Sequence, residues 1–142
     1  MVALALDIGE KRIGIAVSDR SGSVATPVKV LPAQEVIGLA RSFRYILEDY
    51  EPDILVSGRP MTMSGEAGPQ AKRVEAVAEK LARDLNLPLF FEDERLSSSE
   101  AKRILREQGM SEKQMRGKVD MIAASLFLQV WLDRNQSGRQ HG

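Results

Sequence analysis

Leu6-Asp7-Ile8-Gly9-Glu10-Lys11-Arg12-Ile13-Gly14-Ile15-Ala16-Val17-Ser18-Asp19 is the stretch on which the fold turns. The run that leads into it, Val2–Ile8, is apolar except for one acid, as expected of a strand buried on both faces. Arg12–Ser18 alternates, with Ile13, Ile15 and Val17 on one side, and the Gly-Glu-Lys between the two runs is a short turn. Together they predict an antiparallel hairpin. Asp19–Gly22 reads as a further turn. Val24–Leu31, interrupted by Pro27, reads as a third strand at the edge of the sheet.

Downstream the periodicity changes. Val36, Leu39, Ala40, Phe43, Ile46, Leu47 and Tyr50 follow the spacing of one amphipathic helix, ended by Pro52. Asp53–Ser57 is a fourth strand running into Gly58-Arg59-Pro60, and 61–69 is a loop. Ala71, Val74, Val77, Ala78, Leu81 and Leu85 mark a second helix, and Pro88–Phe91 a fifth strand that meets Glu92-Asp93-Glu94-Arg95. Ser97 and Glu100 have the spacing of a capping box opening a helix that stops near Gly109. The last helix, about 117–133, is apolar almost all round, and 134–142 reads as a flexible tail. The expected fold is α/β: a mixed five-stranded sheet, three antiparallel strands followed by parallel ones joined through right-handed crossovers, with helices on both faces. This is the strand order of the RNase H-like superfamily. Residues 1–133 form a single domain in this reading.

Composition narrows the chemistry. The 142 residues, 43% hydrophobic and 28% charged, suit one globular domain. The apolar opening has no basic flank and no small-residue cleavage site, so a strand and a cytoplasmic location are expected rather than a signal peptide or membrane span. There is no cysteine, and the single histidine is His141. Thiol catalysis, imidazole or thiolate zinc sites and Ser-His-Asp hydrolysis are thereby excluded. Carboxylates, lysines, hydroxyls and a hard cation remain.

Three acidic positions are out of place. Asp7 interrupts a buried strand, which costs several kcal/mol unless the acid is paired, exposed at the strand end or bound to a metal; Lys11 and Arg12 are near enough in sequence to pair with it. Glu92, Asp93 and Glu94 crowd the carboxyl end of a strand, where open sheets bind ligands. Alternation puts Glu92 and Glu94 on one face and Asp93 on the other. Asp120 lies in the first turn of an apolar helix, where its charge also suits the helix dipole. Lys118, two residues before it, can neutralise that carboxylate or a phosphate. Net charge is zero, but 95–118 holds seven basic residues against three acidic ones. That excess suits either phosphate contact or a solvated face of ion pairs.

The opening stretch resembles the signature of the YqgF/RuvX family. Asp93-Glu94-Arg95-Leu96-Ser97 resembles its acidic-arginine motif and Lys118-Val119-Asp120 its last-helix motif. The resemblance implies a divalent-metal nuclease acting on structured nucleic acid. Asp7, Glu94 and Asp120 would be the catalytic and metal-ligating residues, with Asp93 the nearest substitute and Mg²⁺ or Mn²⁺ the cofactor. Lys11, Arg12, Arg59, Arg95 and Lys118 are the candidates for nucleic-acid contact. The expected role is maturation of the 5′ end of pre-16S rRNA in ribosome biogenesis, by a monomer or homodimer. A Holliday junction resolvase and a non-catalytic nucleic-acid-binding scaffold are the alternatives. One departure stands out: the family's Gly-Leu-Pro and Asn-Met-Asp-Gly turn is replaced here by Gly58-Arg59-Pro60 and Thr62-Met63-Ser64-Gly65.

Overall fold

A computed structural model describes residues 1–61, 68–95 and 97–140, with side chains through Asn135. The atypical turn at 62–65 lies outside the described residues. β1 (Ala3–Ile8) is the central strand. It pairs antiparallel with β2 (Arg12–Ser18), which carries β3 (Ala25–Pro32) on its far side, also antiparallel. On its other edge β1 pairs parallel with β4 (Ile54–Arg59), and β4 with β5 (Leu89–Asp93), giving the order β3-β2-β1-β4-β5. The expected sheet is the observed one, and β3 is an edge strand as its proline requires.

The two faces of the sheet carry different residue sizes, and this places the site. Leu4, Leu6, Ile8, Ile13, Ile15, Val17 and Leu55 point to one face. They are covered by α1 (Ala33–Ile37), α2 (Arg41–Tyr50) and α3 (Pro69–Leu85), through Val36, Phe43, Ile46, Val74, Ala78 and Leu81. The opposite face presents Ala3, Ala5 and Ala16 with Ile54 and Val56 to the long helix α6 (Val119–Gln140), which contributes Ala124, Phe127, Leu128 and Trp131. Small strand residues let a helix backbone come close, so α6 lies against the middle strands rather than above a layer of leucines. α4 (Ser97–Glu107) packs beside α6, and a short α5 (Glu112–Arg116) links them.

Several local expectations are revised. The single helix across 36–50 is two helices. Gly38 ends α1, Leu39 adopts a left-handed φ of 53°, and Ser42 Oγ donates to Glu35 Oε1 at 2.6 Å across the break. The apolar spacing carries through because both pieces bury the same face, so periodicity alone does not reveal the corner. The capping box is not at Ser97. The Ser97 N–H donates to the Glu94 carbonyl at 3.0 Å, and the Glu100 carboxylate is taken by Arg103. Ser111 and Gln114 form the box instead, with Ser111 N–H to Gln114 Oε1 at 2.9 Å and Gln114 N–H to Ser111 Oγ at 3.3 Å. The last helix starts at Val119 and continues beyond Asp133 to Gln140.

That continuation has a purpose at Arg134, whose guanidinium is paired with Glu92. Glu92 is only 7% exposed, facing α6 from the edge strand. The pair ties β5 to the helix one residue pair away from Glu94. Arg134→Met should lower unfolding stability by roughly 1–3 kcal/mol in urea titrations, less than a fully buried pair because water reaches the arginine. The double variant Glu92→Gln/Arg134→Met should recover most of that loss. Equal stability of Arg134→Met and wild type would show that the pair does not hold the edge strand.

Candidate active site

Three carboxylates reach one patch on the α6 side of the sheet from three separate elements. Alternation along β1 that buries Ala3 and Ala5 beneath α6 delivers Asp7 to the same face. Asp7 stands opposite Gly14 in the β1–β2 register. A Cβ at Gly14 would collide with the main chain of Asp120 and lie 2.6 Å from the Met121 nitrogen. The missing side chain is therefore what allows the first turn of α6 to rest on β2, next to Asp7. Gly58 on β4 does the same on the other side, since a Cβ there would meet the Glu94 carboxylate and lie 2.8 Å from the Phe127 ring. Glu94 follows β5 directly, and its N–H donates to the Arg59 carbonyl at 3.3 Å. Phe90 on Trp131, Glu92 on Arg134 and Glu94 beside Asp7 show the alternating residues of β5 turned to the α6 side, as expected from the sequence.

Burial and mutual repulsion dominate the electrostatics. Burial is the largest cause pushing the Asp7 carboxyl up, followed by the like charge of Glu94, and it reaches about 9. Glu94 is also raised, first by burial and then by Asp120 and Asp93, against a hydrogen bond from Asp7 that pulls the other way. Two carboxyl groups can share a hydrogen bond only if one of them holds a proton. Asp120 is turned toward Arg12, with Arg12 Nε 3.3 Å from its Oδ2. A proton and a guanidinium thus offset the negative charge. Among the described residues no three acidic groups converge in a ready-made cation cage. The donor set nonetheless suits a hard divalent ion: it is all oxygen, and it brings like charges together at a partly buried place.

The remaining candidates divide. Arg12 is in the site through Asp120. Lys11 and Lys118 are exposed in the turn before β2 and just before α6, at the rim rather than among the carboxylates. Asp93 is turned to Arg95, its carboxylate accepting the Arg95 N–H at 2.9 Å and pairing with Arg95 Nε at 2.9 Å. It raises Glu94 through space but does not join the cluster. Arg59 also points away, stacked over Phe91 with its guanidinium carbon 4.5 Å from the ring centroid, and paired with Glu75 of α3 at 3.0 Å. A phosphate contact for Arg59 at this site is not supported by that position. Gly14 and Gly58 were missed as site residues, although a glycine inside a strand is itself a signal of close approach.

This sheet, with acids delivered to one face by the central strand, the end of β5 and the terminal helix, defines an RNase H-like chain of the resolvase type. It superposes with a TM-score of 0.55 on Thermus thermophilus RuvC solved with a Holliday junction substrate, at 14% identity over 96% of both chains. The fowlpox virus resolvase, solved with Holliday junction DNA, gives 0.54 at 14% identity over 94% of this chain and 98% of that one. At such identities the likeness concerns the fold. The family described as RuvX, Holliday junction resolvase, matches residues 1–134, and the chain belongs to that family. A relative from Acaryochloris marina is 41% identical over 132 residues, 93% of this chain and 92% of its own length. One from Synechocystis is 39% identical over 142 residues, covering 100% and 93%. Both carry the name "Putative pre-16S rRNA nuclease".

Proposed function

We propose that the chain is a divalent-metal-dependent nuclease that hydrolyses phosphodiester bonds in structured nucleic acid, with 5′-end processing of pre-16S rRNA as its role. The observation that carries this reading is the delivery of Asp7, Glu94 and Asp120 to one side of the sheet, close enough for Asp7 and Glu94 to share a hydrogen bond and for Asp120 to repel both. A wholly structural site has no use for Asp7 and Glu94 side by side and largely buried, since either one as an amide would cost less. The name shared by the relatives supports the substrate. Mg²⁺ or Mn²⁺ held by Asp7, Glu94 and Asp120 would polarise the phosphodiester and assist the attacking water and leaving oxygen. The chain's own contribution is to fix these acids rigidly: Asp7 by the central strand, Glu94 against Gly58, Asp120 by the helix resting on Gly14. Arg12, at the open side of Asp120, is placed to meet a phosphate.

The test is cleavage of a 16S rRNA precursor fragment and a four-way DNA junction with Mg²⁺, Mn²⁺ or EDTA. Cleavage of the RNA that EDTA abolishes is the expected result, together with a rise in thermal midpoint on titrating either cation. Cleavage of the junction alone would move the assignment to a resolvase. Binding of both substrates without cleavage of either, under all conditions, would leave a scaffold.

A further inference from the structure

Of the seven basic residues between 95 and 118, three are taken by acids, Lys113 and Lys118 are exposed outside the hollow between α4, α5 and α6, and two line it. Arg103 is held by Glu100 and Glu107 along the outer face of α4, Arg95 by Asp93, and Arg106 stands 4.0 Å from Glu112. These are the solvated ion pairs that charge patterning alone allows for. Lys102 and Arg116 behave differently: among the described residues neither has a carboxylate within 4.0 Å. Both line a concavity of about 340 Å³ between α4, α5 and the start of α6. Arg12, Ser98 and Asp120 line it too, so it opens directly beside the carboxylate cluster. Glu112 is on its rim, facing Arg106.

This hollow is built. Met115, 3% exposed, anchors α5 in the core, and the Ser111–Gln114 capping box fixes its first turn. The five-residue helix thereby holds Arg116 across from Lys102 of α4. Three cations, Arg12, Lys102 and Arg116, share this concavity with two carboxylates, Glu112 and Asp120, and the net positive lining is what a bound phosphate would balance. Diffuse surface charge would not need an anchored helix.

We propose that this pocket is a phosphate subsite, in which Lys102, Arg116 and Arg12 hold a backbone phosphate of the nucleic acid flanking the one at the carboxylates. The inference rests on the nuclease reading and adds to it the direction of the strand: away from Asp120, between α4 and α5. It also gives Arg12 two partners, Asp120 in the structure described here and the flanking phosphate in the complex. Arginine serves both, since its fork matches carboxylate and phosphate alike.

The experiment measures binding, in an Asp7→Asn background so that nothing is cleaved, of the labelled precursor RNA fragment and the four-way junction across a salt series. Lys102→Gln/Arg116→Gln is compared with Arg103→Gln, which carries the same kind of exposed change on the outer face of α4. Glutamine preserves length and helix propensity, and circular dichroism checks that all variants fold. The double variant should bind ~10-fold more weakly near physiological salt, and its slope of log K against log salt should fall by about 0.7–0.9, one phosphate's worth of counterion release. Arg103→Gln should stay within about 2-fold of its parent. If the double variant keeps the parent's affinity and slope, the subsite is wrong and the nuclease reading stands. If the parent itself binds neither nucleic acid, both fall together.

Discussion

Asp7→Asn is expected to abolish cleavage, by roughly 10²–10³-fold or more, and at the same time to make the metal-free protein more stable. The two effects have one origin. Asp7 is the buried member of a cluster whose other acids, Glu94 and Asp120, both repel its charge. An amide keeps the shape, stays neutral without having to take up a proton on folding, and can still donate to Glu94. The thermal midpoint of the metal-free variant should rise by about 3–8 °C at pH 8 for a gain of 1–2 kcal/mol. The pH dependence follows by linkage. Asp7 is raised in the folded protein from near 3.8 to about 9, so the folded state holds the proton more tightly than the unfolded one. Stability from this group is fully present below about pH 4 and is lost as pH rises toward 9. Wild type without metal should therefore lose stability between pH 5 and 8 more steeply than Asp7→Asn, and Mg²⁺ or Mn²⁺ should restore wild type far more than the variant. Melting curves at the two pH values, with and without cation, check this. Equal midpoints for wild type and variant at pH 8 would mean the carboxyl is not under the strain described.

Glycine substitutions should separate the framework of the site from its ligands. Gly14→Ala places a methyl group into the main chain of Asp120 and Met121, where no side-chain rotation can relieve it. Either the helix start or strand β2 must move. A loss of about 2–4 kcal/mol is expected, together with nearly all activity. Gly58→Ala meets the end of the Glu94 side chain and the edge of Phe127. Glu94 can swing aside, so the stability cost should be smaller, about 1–2 kcal/mol, but activity should fall at least as far if the displaced group is the ligand proposed above. Unfolding titrations and cleavage rates on the two variants check the contrast. If Gly58→Ala retains wild-type rates, Glu94 does not work from the position seen here.

Much of this architecture is legible in the chain. The hairpin follows from Leu6–Asp19, and the three acids announce themselves by where they interrupt an apolar run or crowd a strand end. Face alternation distinguishes Asp93, held by Arg95, from Glu92, held by Arg134. Applied one step further it also bears on Arg59: Gly58 faces α6, so Arg59 faces away, onto Phe91 and Glu75. Other features depend on partners distant in sequence. Nothing local tells that Gly14 meets residue 120, or that Arg134, placed in a tail, closes onto Glu92. Capping boxes compete: Ser97–Glu100 and Ser111–Gln114 have equivalent spacing, and Arg103 decides the outcome by taking Glu100.

The spread of the acids along the chain, at residues 7, 94 and 120, has a consequence in time. Synthesis delivers the chain amino end first, and β1 with its acid is available long before α6. Because Asp120 rests on Gly14 only after α6 has docked, a growing chain holds an unfinished set of the proposed ligands. On the proposed ligand set, a nuclease made on the ribosome, in the midst of RNA, would be born inert and armed by its last helix. Translation complexes stalled before residue 119 should leave added RNA intact, whereas release of the full chain should start its cleavage.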